Sequence, residues 1–203
     1  MRDYARLDAF LDARLGDIYP EPMGEPHLSI IAKMVPTLIE QYAIEKGSSV
    51  LDVGCGYGEA LRTFKQHGMI ATGVGFGEEA AKARAEGFEI IESDMSFLDV
   101  AADTFDVVWC RHVMEHSLFP YFTLSEMFRI LKPGGVFYME VPAPDTACRH
   151  EENANHYSIH TRTTWIHLML RCGFVDLRSN DIKFEVPAGP DHYYVFDSKK
   201  PAA

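Results

Sequence analysis

Three glycines stand at alternate positions in Val50-Leu51-Asp52-Val53-Gly54-Cys55-Gly56-Tyr57-Gly58-Glu59, where an apolar run gives way to an amphipathic one. Glycine at such a junction lets the backbone turn tightly and approach a ligand closely, beside the exposed N–H groups of a helix N-terminus. The spacing of Gly54, Gly56 and Gly58 is G-x-G-x-G rather than the G-x-G-x-x-G of dinucleotide sites. Asp52 puts a carboxylate at the end of the strand, where it would repel a pyrophosphate but accept from a ligand ammonium, directly or through water. The plainer reading is a glycine-rich strand–helix turn with Asp52 as a local cap.

Histidines offer a second chemistry, because imidazole titrates near neutral pH and is the usual general base. His112 and His116 follow the apolar run Phe105-Asp106-Val107-Val108-Trp109-Cys110. Either could instead cap the helix that follows. His112-Val113-Met114-Glu115-His116 also fits H-x-x-E-H, a metalloprotease pattern. That pattern needs a long helix and a third ligand, whereas here it lies between a strand and Pro120, and the protease reading is set aside. The polar stretch from His150 to His160 also contains His156. Two or three of its side chains together with His116 could bind a divalent metal. A solvated loop is the preferred reading for His150, and His156 is the expected lid contact. No metal ligand set is assigned.

These groups need a scaffold, and from Ser48 the chain alternates short apolar runs with amphipathic stretches. The expected strands are 49–53, 70–74, 88–91, 105–110 and 136–141, and the expected helices are 59–67, 78–86, 121–131 and 163–171. Such β/α alternation implies a parallel sheet with helices on both faces and ligands at the C-terminal strand edge. Lys132-Pro133-Gly134-Gly135 reads as a tight turn feeding the strand at 136. Phe174–Leu177 and His192–Phe196 could pair as an antiparallel edge. Before this, two helical stretches (Arg2–Leu15 and His27–Glu45) flank the proline-rich breaker Tyr19–Pro26. Residues 1–46 are therefore expected to form an N-terminal helical cap, whose aromatics Tyr4, Phe10, Tyr19 and Tyr42 suit a hydrophobic cover and helix packing equally, and residues 47–203 the main domain.

The 203 residues, 47% hydrophobic and 24% charged, have globular proportions. A net charge of −11 argues against a phosphate-backbone binder. No apolar run approaches the roughly 18 residues of a membrane span, and Met1-Arg2-Asp3-Tyr4 lacks the build of a secretory signal. Cys55, Cys110, Cys148 and Cys172 are scattered, without a C-x-x-C pair to suggest a zinc clip or a redox motif. A cytoplasmic protein is expected, with no nucleic-acid or membrane partner and its oligomeric state open.

From Ser48 to Val141 the sequence resembles the class I S-adenosylmethionine-dependent methyltransferases, in their small-molecule branch. Leu51-Asp52-Val53-Gly54-Cys55-Gly56-Tyr57-Gly58 is similar to that family's first motif, which holds the methionine end of the cofactor. Glu92-Ser93-Asp94-Met95 resembles the segment whose acid contacts the adenine amino group, Phe105 to His116 the fourth-strand motif, and Phe128-Arg129-Ile130-Leu131-Lys132-Pro133-Gly134-Gly135 the turn into the fifth strand. Asn155 to Phe174 is similar to the post-core segment, with Thr161 starting a helix and Gly173 ending it. The resemblance implies a Rossmann-like, seven-stranded, mostly parallel α/β sheet, the cofactor S-adenosylmethionine, and methyl transfer to a small-molecule acceptor at oxygen or nitrogen rather than carbon. It further implies that Asp52, Gly54, Cys55, Gly56, Gly58, Gly75, Phe76, Asp94, Met95 and Arg111 face the cofactor. His112 would lie near the methionine end, and His116 with His156 would lie at the acceptor.

One position departs from the family. Its second strand usually ends in an acid that holds both ribose hydroxyls, and here Gly75 follows Ala71-Thr72-Gly73-Val74. An acid about twenty residues after the loop would also mark an NAD site, so its absence weakens that reading as well. Losing two charge-assisted hydrogen bonds costs on the order of 2–4 kcal/mol. Glu78 or Glu79 could substitute, although both are expected in the first turn of a helix, where acids favour the dipole. Two other readings follow: a catalytically idle cofactor-binding module, or a metal-assisted enzyme on the same fold.

Overall fold

The computed structural model describes residues 4–15 and 24–202. The start of the first helical stretch, and the proline-rich breaker up to Met23 with Tyr19, lie outside the described residues. One sheet holds seven strands: β1 (Ser49–Val53), β2 (Ile70–Val74), β3 (Glu89–Ile91), β4 (Phe105–Arg111), β5 (Leu131–Pro142), β6 (Val175–Val186) and β7 (Gly189–Lys199). Their spatial order is β3-β2-β1-β4-β5-β7-β6. β1 to β5 run parallel, and β7 lies antiparallel between β5 and β6. The helices are α1 (Tyr4–Leu15), α2 (His27–Tyr42), α3 (Glu59–Gln66), α4 (Gly77–Ala85), α5 (Pro120–Ile130) and α6 (Arg162–Cys172).

Central parallel strands are covered on both faces and so are written as nearly continuous apolar runs. Val50, Leu51 and Val53 of β1 are all buried. Leu51, Val108 and Phe137 face a layer containing Leu124 and Met127 of α5 and Trp165 and Met169 of α6. Val50, Val107, Trp109 and Tyr138 face the other layer, built from Ile31, Val35 and Leu38 of α2 and Phe64 of α3. α2 is thus packed on the sheet beside α3. Within that layer Trp109 stacks on Tyr138 at 4.0 Å between ring centroids, 6° from parallel. Trp109 also sits opposite Asp52 across the β1–β4 pair.

Two expectations about the strands need correction. β5 starts earlier than expected, at Leu131, which pairs with Phe105, but Lys132-Pro133-Gly134-Gly135 bulges out of the ladder as a turn, with Gly134 at φ 79°, and pairing resumes at Val136 opposite Val107. His192–Phe196 does not pair with Phe174–Leu177. Tyr193 faces Ile182 and Phe196 faces Ser179, because the hairpin turns tightly between Val186 and Gly189 and both strands run long. α6 begins and ends where expected, with Thr161 accepting from the Thr164 N–H and Gly173 at φ 102°.

Candidate active site

Strand order reverses at β1 and β4, and that switch point leaves a crevice beyond the C-terminal strand ends. A cavity of about 300 Å³ lies there, within the range of small-molecule sites. On one side its wall consists of Gly54, Gly56, Gly75, Phe76 and Glu79, with Asp94 and Met95 beyond β3. Arg111, His112 and His116 form the other side, with Asn155 and Tyr157 from the loop after β5. Leu11 and Arg14 of α1 and His27 of α2 cover it.

The glycine loop adopts backbone conformations that side chains resist. Gly54, Gly56 and Gly58 have φ of 73°, 46° and 83°, all left-handed. The N–H groups of Gly54 and Cys55 both donate to the Val74 carbonyl at 2.9 Å, tying the loop to β2. Gly58 lies at the start of α3 rather than on the cavity wall. Cys55 is also off the wall: its Sγ fills the space beside β2, 2.7 Å from where a Cβ on Gly73 would stand and 3.2 Å from one on Gly75. Gly75 and Cys55 therefore fit each other. Glu78 and Glu79 do lie in the first turn of α4. Glu79 nonetheless reaches the cavity, its Oε2 lying 3.6 Å from the Cβ position of Gly56.

Asp52 is buried beneath the loop and does not reach the wall. Burial pushes its carboxyl up to about 8, with the Arg111 charge pulling the other way. Arg111 is itself held, donating from Nε to Glu140 Oε1 at 2.9 Å and lying 3.0 Å through Nη2 from His27 Nδ1. Glu140 also takes His112 Nε2 at 3.0 Å and the Tyr138 hydroxyl at 3.0 Å. Burial would raise the Glu140 carboxyl, but His112 and Arg111 hold it down at about 2. His112, expected near the methionine end, is thus on the wall with its Nε2 turned to Glu140. Neither Glu140 nor His27 was singled out from sequence, although an acid inside the apolar run of β5 was a usable signal.

His116 Nδ1 lies 3.0 Å from the Asn155 carbonyl. A carbonyl only accepts, so Nδ1 carries a proton and the ring is oriented by that bond. His156 stands behind His116, with ring centroids 4.9 Å apart, and does not line the cavity; its neighbours Asn155 and Tyr157 do. Its Nδ1 donates to the His150 carbonyl at 2.9 Å. Glu115, His116 and His156 each bring a metal-ligating atom within 4.8 Å of the others.

A doubly wound α/β sheet with a glycine loop and a switch-point cavity defines a cofactor-binding domain of the nucleoside type. Residues 28–179 match the methyltransferase domain family. The chain belongs to that family, the S-adenosylmethionine-dependent class I methyltransferases, whose cofactor is S-adenosylmethionine. It is 35% identical over 107 residues to a ubiquinone biosynthesis O-methyltransferase of Coxiella burnetii, covering 49% of this chain and 46% of that one. It is 36% identical over 124 residues to a sterol 24-C-methyltransferase of Gibberella zeae, covering 56% of this chain and 32% of that one. The matches thus span half or less of these relatives. The fold is shared with phosphoethanolamine N-methyltransferase 2 of Haemonchus contortus, solved in complex with S-adenosyl-L-methionine, at TM-score 0.70 and 17% identity over 83% of this chain and 52% of that one. Among the described residues no helix is long and apolar enough to cross a membrane.

Proposed function

We propose that the domain transfers a methyl group from S-adenosylmethionine to a small-molecule acceptor at oxygen or nitrogen, with His116 as general base. The observation that supports this reading is the place of His116 on the cavity wall, with its ring oriented by Nδ1 held 3.0 Å from the Asn155 carbonyl. When bound, S-adenosylmethionine supplies an electrophilic methyl group on its sulfonium. The residues present fit such a ligand. Phe76 and Met95 offer apolar surface to a purine, Asp94 an acceptor for its amino group, and Arg111 a partner for a carboxylate. Gly54 and Gly56 let the backbone approach, and Asp52 beneath the loop complements an ammonium once that positive charge draws the proton off its raised carboxyl. Glu79 takes over the ribose hydroxyls from the absent strand-end acid, since it is a carboxylate on the wall next to Gly75. Positioning supplies most of the acceleration in an in-line displacement, and His116 accepts the proton of an acceptor hydroxyl or ammonium.

The test is a thermal-shift titration with S-adenosylmethionine, S-adenosylhomocysteine and NAD, followed by a screen of phenols and amines for S-adenosylhomocysteine release. Ligand at 100 times its dissociation constant stabilises by about 2.7 kcal/mol, or roughly 5–10 °C in Tm. A shift with the adenosyl ligands alone, and turnover with a phenol or amine, is expected. No shift with any ligand overturns the reading, and binding without turnover replaces it with the idle cofactor-binding module that Gly75 favours. Turnover that needs added divalent metal would instead favour a metal-assisted enzyme, for which Glu115, His116 and His156 are the converging groups.

A further inference from the structure

Away from the cavity, the loop that follows β5 folds back onto the start of β7. The Ala143 N–H donates to the His192 carbonyl at 2.9 Å and the Ala147 N–H to the Pro190 carbonyl at 3.3 Å. The packing there is close, since a Cβ on Gly189 would come within 2.9 Å of Ala147 Cβ. Backbone contacts thus fix Cys148 and His150, on the loop, against Asp191, on the strand. His150 Nε2 lies 3.0 and 3.1 Å from the two Asp191 oxygens, and Cys148 Sγ lies within 4.8 Å of the ligating atoms of both. The Asp191 side chain is 3% exposed and that of His150 12%.

We propose that Cys148, His150 and Asp191 form a binding site for a borderline-soft divalent cation of the zinc class, which clips the loop to the sheet. One thiol, one imidazole and one carboxylate are the ligand types zinc prefers. Their ligating atoms all lie within 4.8 Å of one another. Bond lengths of 2.0–2.3 Å put the corners of a tetrahedron about 3.3–3.7 Å apart, so closure by roughly 1 Å suffices. Binding displaces the Cys148 proton to solvent. The thiolate and carboxylate then neutralise the dication, and water takes the fourth position. The three ligands come from no short sequence motif, which is why the absence of C-x-x-C did not speak to them.

Such a clip bears on the cavity through the chain that follows it. The His150 carbonyl accepts from His156 Nδ1 at 2.9 Å, and His156 packs edge-on against His116 at 4.9 Å. Fixing His150 therefore fixes the segment that supplies Asn155 and Tyr157 to the wall. The inference does not rest on methyl transfer, and its test does not require activity.

The untagged, reduced full chain is titrated with Co(II), and its absorption spectrum is recorded. One equivalent should produce a thiolate-to-cobalt charge-transfer band that Zn(II) abolishes. Cys148→Ser should lose the band, Asp191→Asn should weaken binding by more than about tenfold, and Cys55→Ser and Cys172→Ser should change nothing. Three results overturn the proposal: no binding, a band that survives Cys148→Ser, or cobalt bound without any thiolate band. The last would send the ion to Glu115, His116 and His156. Because the wild-type spectrum alone decides two of these, a variant that fails to fold does not rescue the idea.

Discussion

The wall of the cavity built by β1, β2 and α4 is held by main chain, whereas the wall built at the ends of β4 and β5 is held by side chains. On the first wall the glycines carry positive φ and the loop is tied to the Val74 carbonyl. On the second, one buried carboxylate, Glu140, takes Arg111, His112 and Tyr138 together. The first arrangement leaves its side chains replaceable, and the proposed exchange of a strand-end acid for Glu79 would be an instance. The second makes its side chains interdependent, because removing one strands the others in a dry interior.

The sharpest test of the division is His116→Asn. It should cut kcat by roughly 10²–10⁴ while the calorimetric affinity for S-adenosylhomocysteine stays unchanged; if affinity falls in step, the two walls do not have separate tasks. Next, Glu140→Leu removes one partner of a buried ion pair and should cost about 3–5 kcal/mol, seen as a Tm lower by roughly 6–20 °C. Glu140 is held at about 2 against an ordinary 4.5. Its contribution is therefore full above pH 4.5 and fades as pH falls towards 2, and the variant should lack that fade. A cost under 1 kcal/mol would mean the second wall is no more coupled than the first.

Asp52→Asn should weaken S-adenosylhomocysteine binding at least about tenfold above pH 8, where the carboxyl is ionised and a hydrogen bond to a charge is lost. Its stability should respond oppositely to that of Glu140→Leu. The Asp52 carboxyl is raised from 3.8 to about 8, so the wild type is most stable below pH 3.8 on this account and loses stability as pH climbs to 8. Urea midpoints between pH 4 and 9 should slope less in the variant, and an identical slope would remove Asp52 from this account. The smallest effect belongs to Gly75→Asp, which should tighten S-adenosylhomocysteine binding by no more than about tenfold. Cys55→Ala should enlarge the gain by relieving the 3.2 Å approach of Sγ, and abolished binding would show a ribose site rebuilt around glycine.

The backbone-held wall was legible in the sequence because its signal is local: a buried strand, three glycines and a helix start fall within ten consecutive residues. β6 was only half visible: the stretch Phe174–Leu177 marked its start, but it is an edge strand with Asp176, Asn180, Asp181 and Lys183 exposed, so no apolar run announces its length. The side-chain wall was only half legible. His112 and His116 stand next to β4 in the chain, but Glu140, His27 and Asn155 reach them only through strand pairing and loop closure. His156 was placed on the wall by its residue type, while the loop's path puts its neighbours there.

The stacked pair Trp109 and Tyr138 has an optical consequence. Both tryptophans, Trp109 and Trp165, are buried, at 1% and 0% exposure, so native fluorescence originates in a dry interior and moves to the red only when the sheet opens. Trp109 also faces Asp52 across the strand pair, which makes its emission sensitive to the charge on that carboxyl. The protein thus carries its own unlabelled reporter of ionisation beneath the glycine loop.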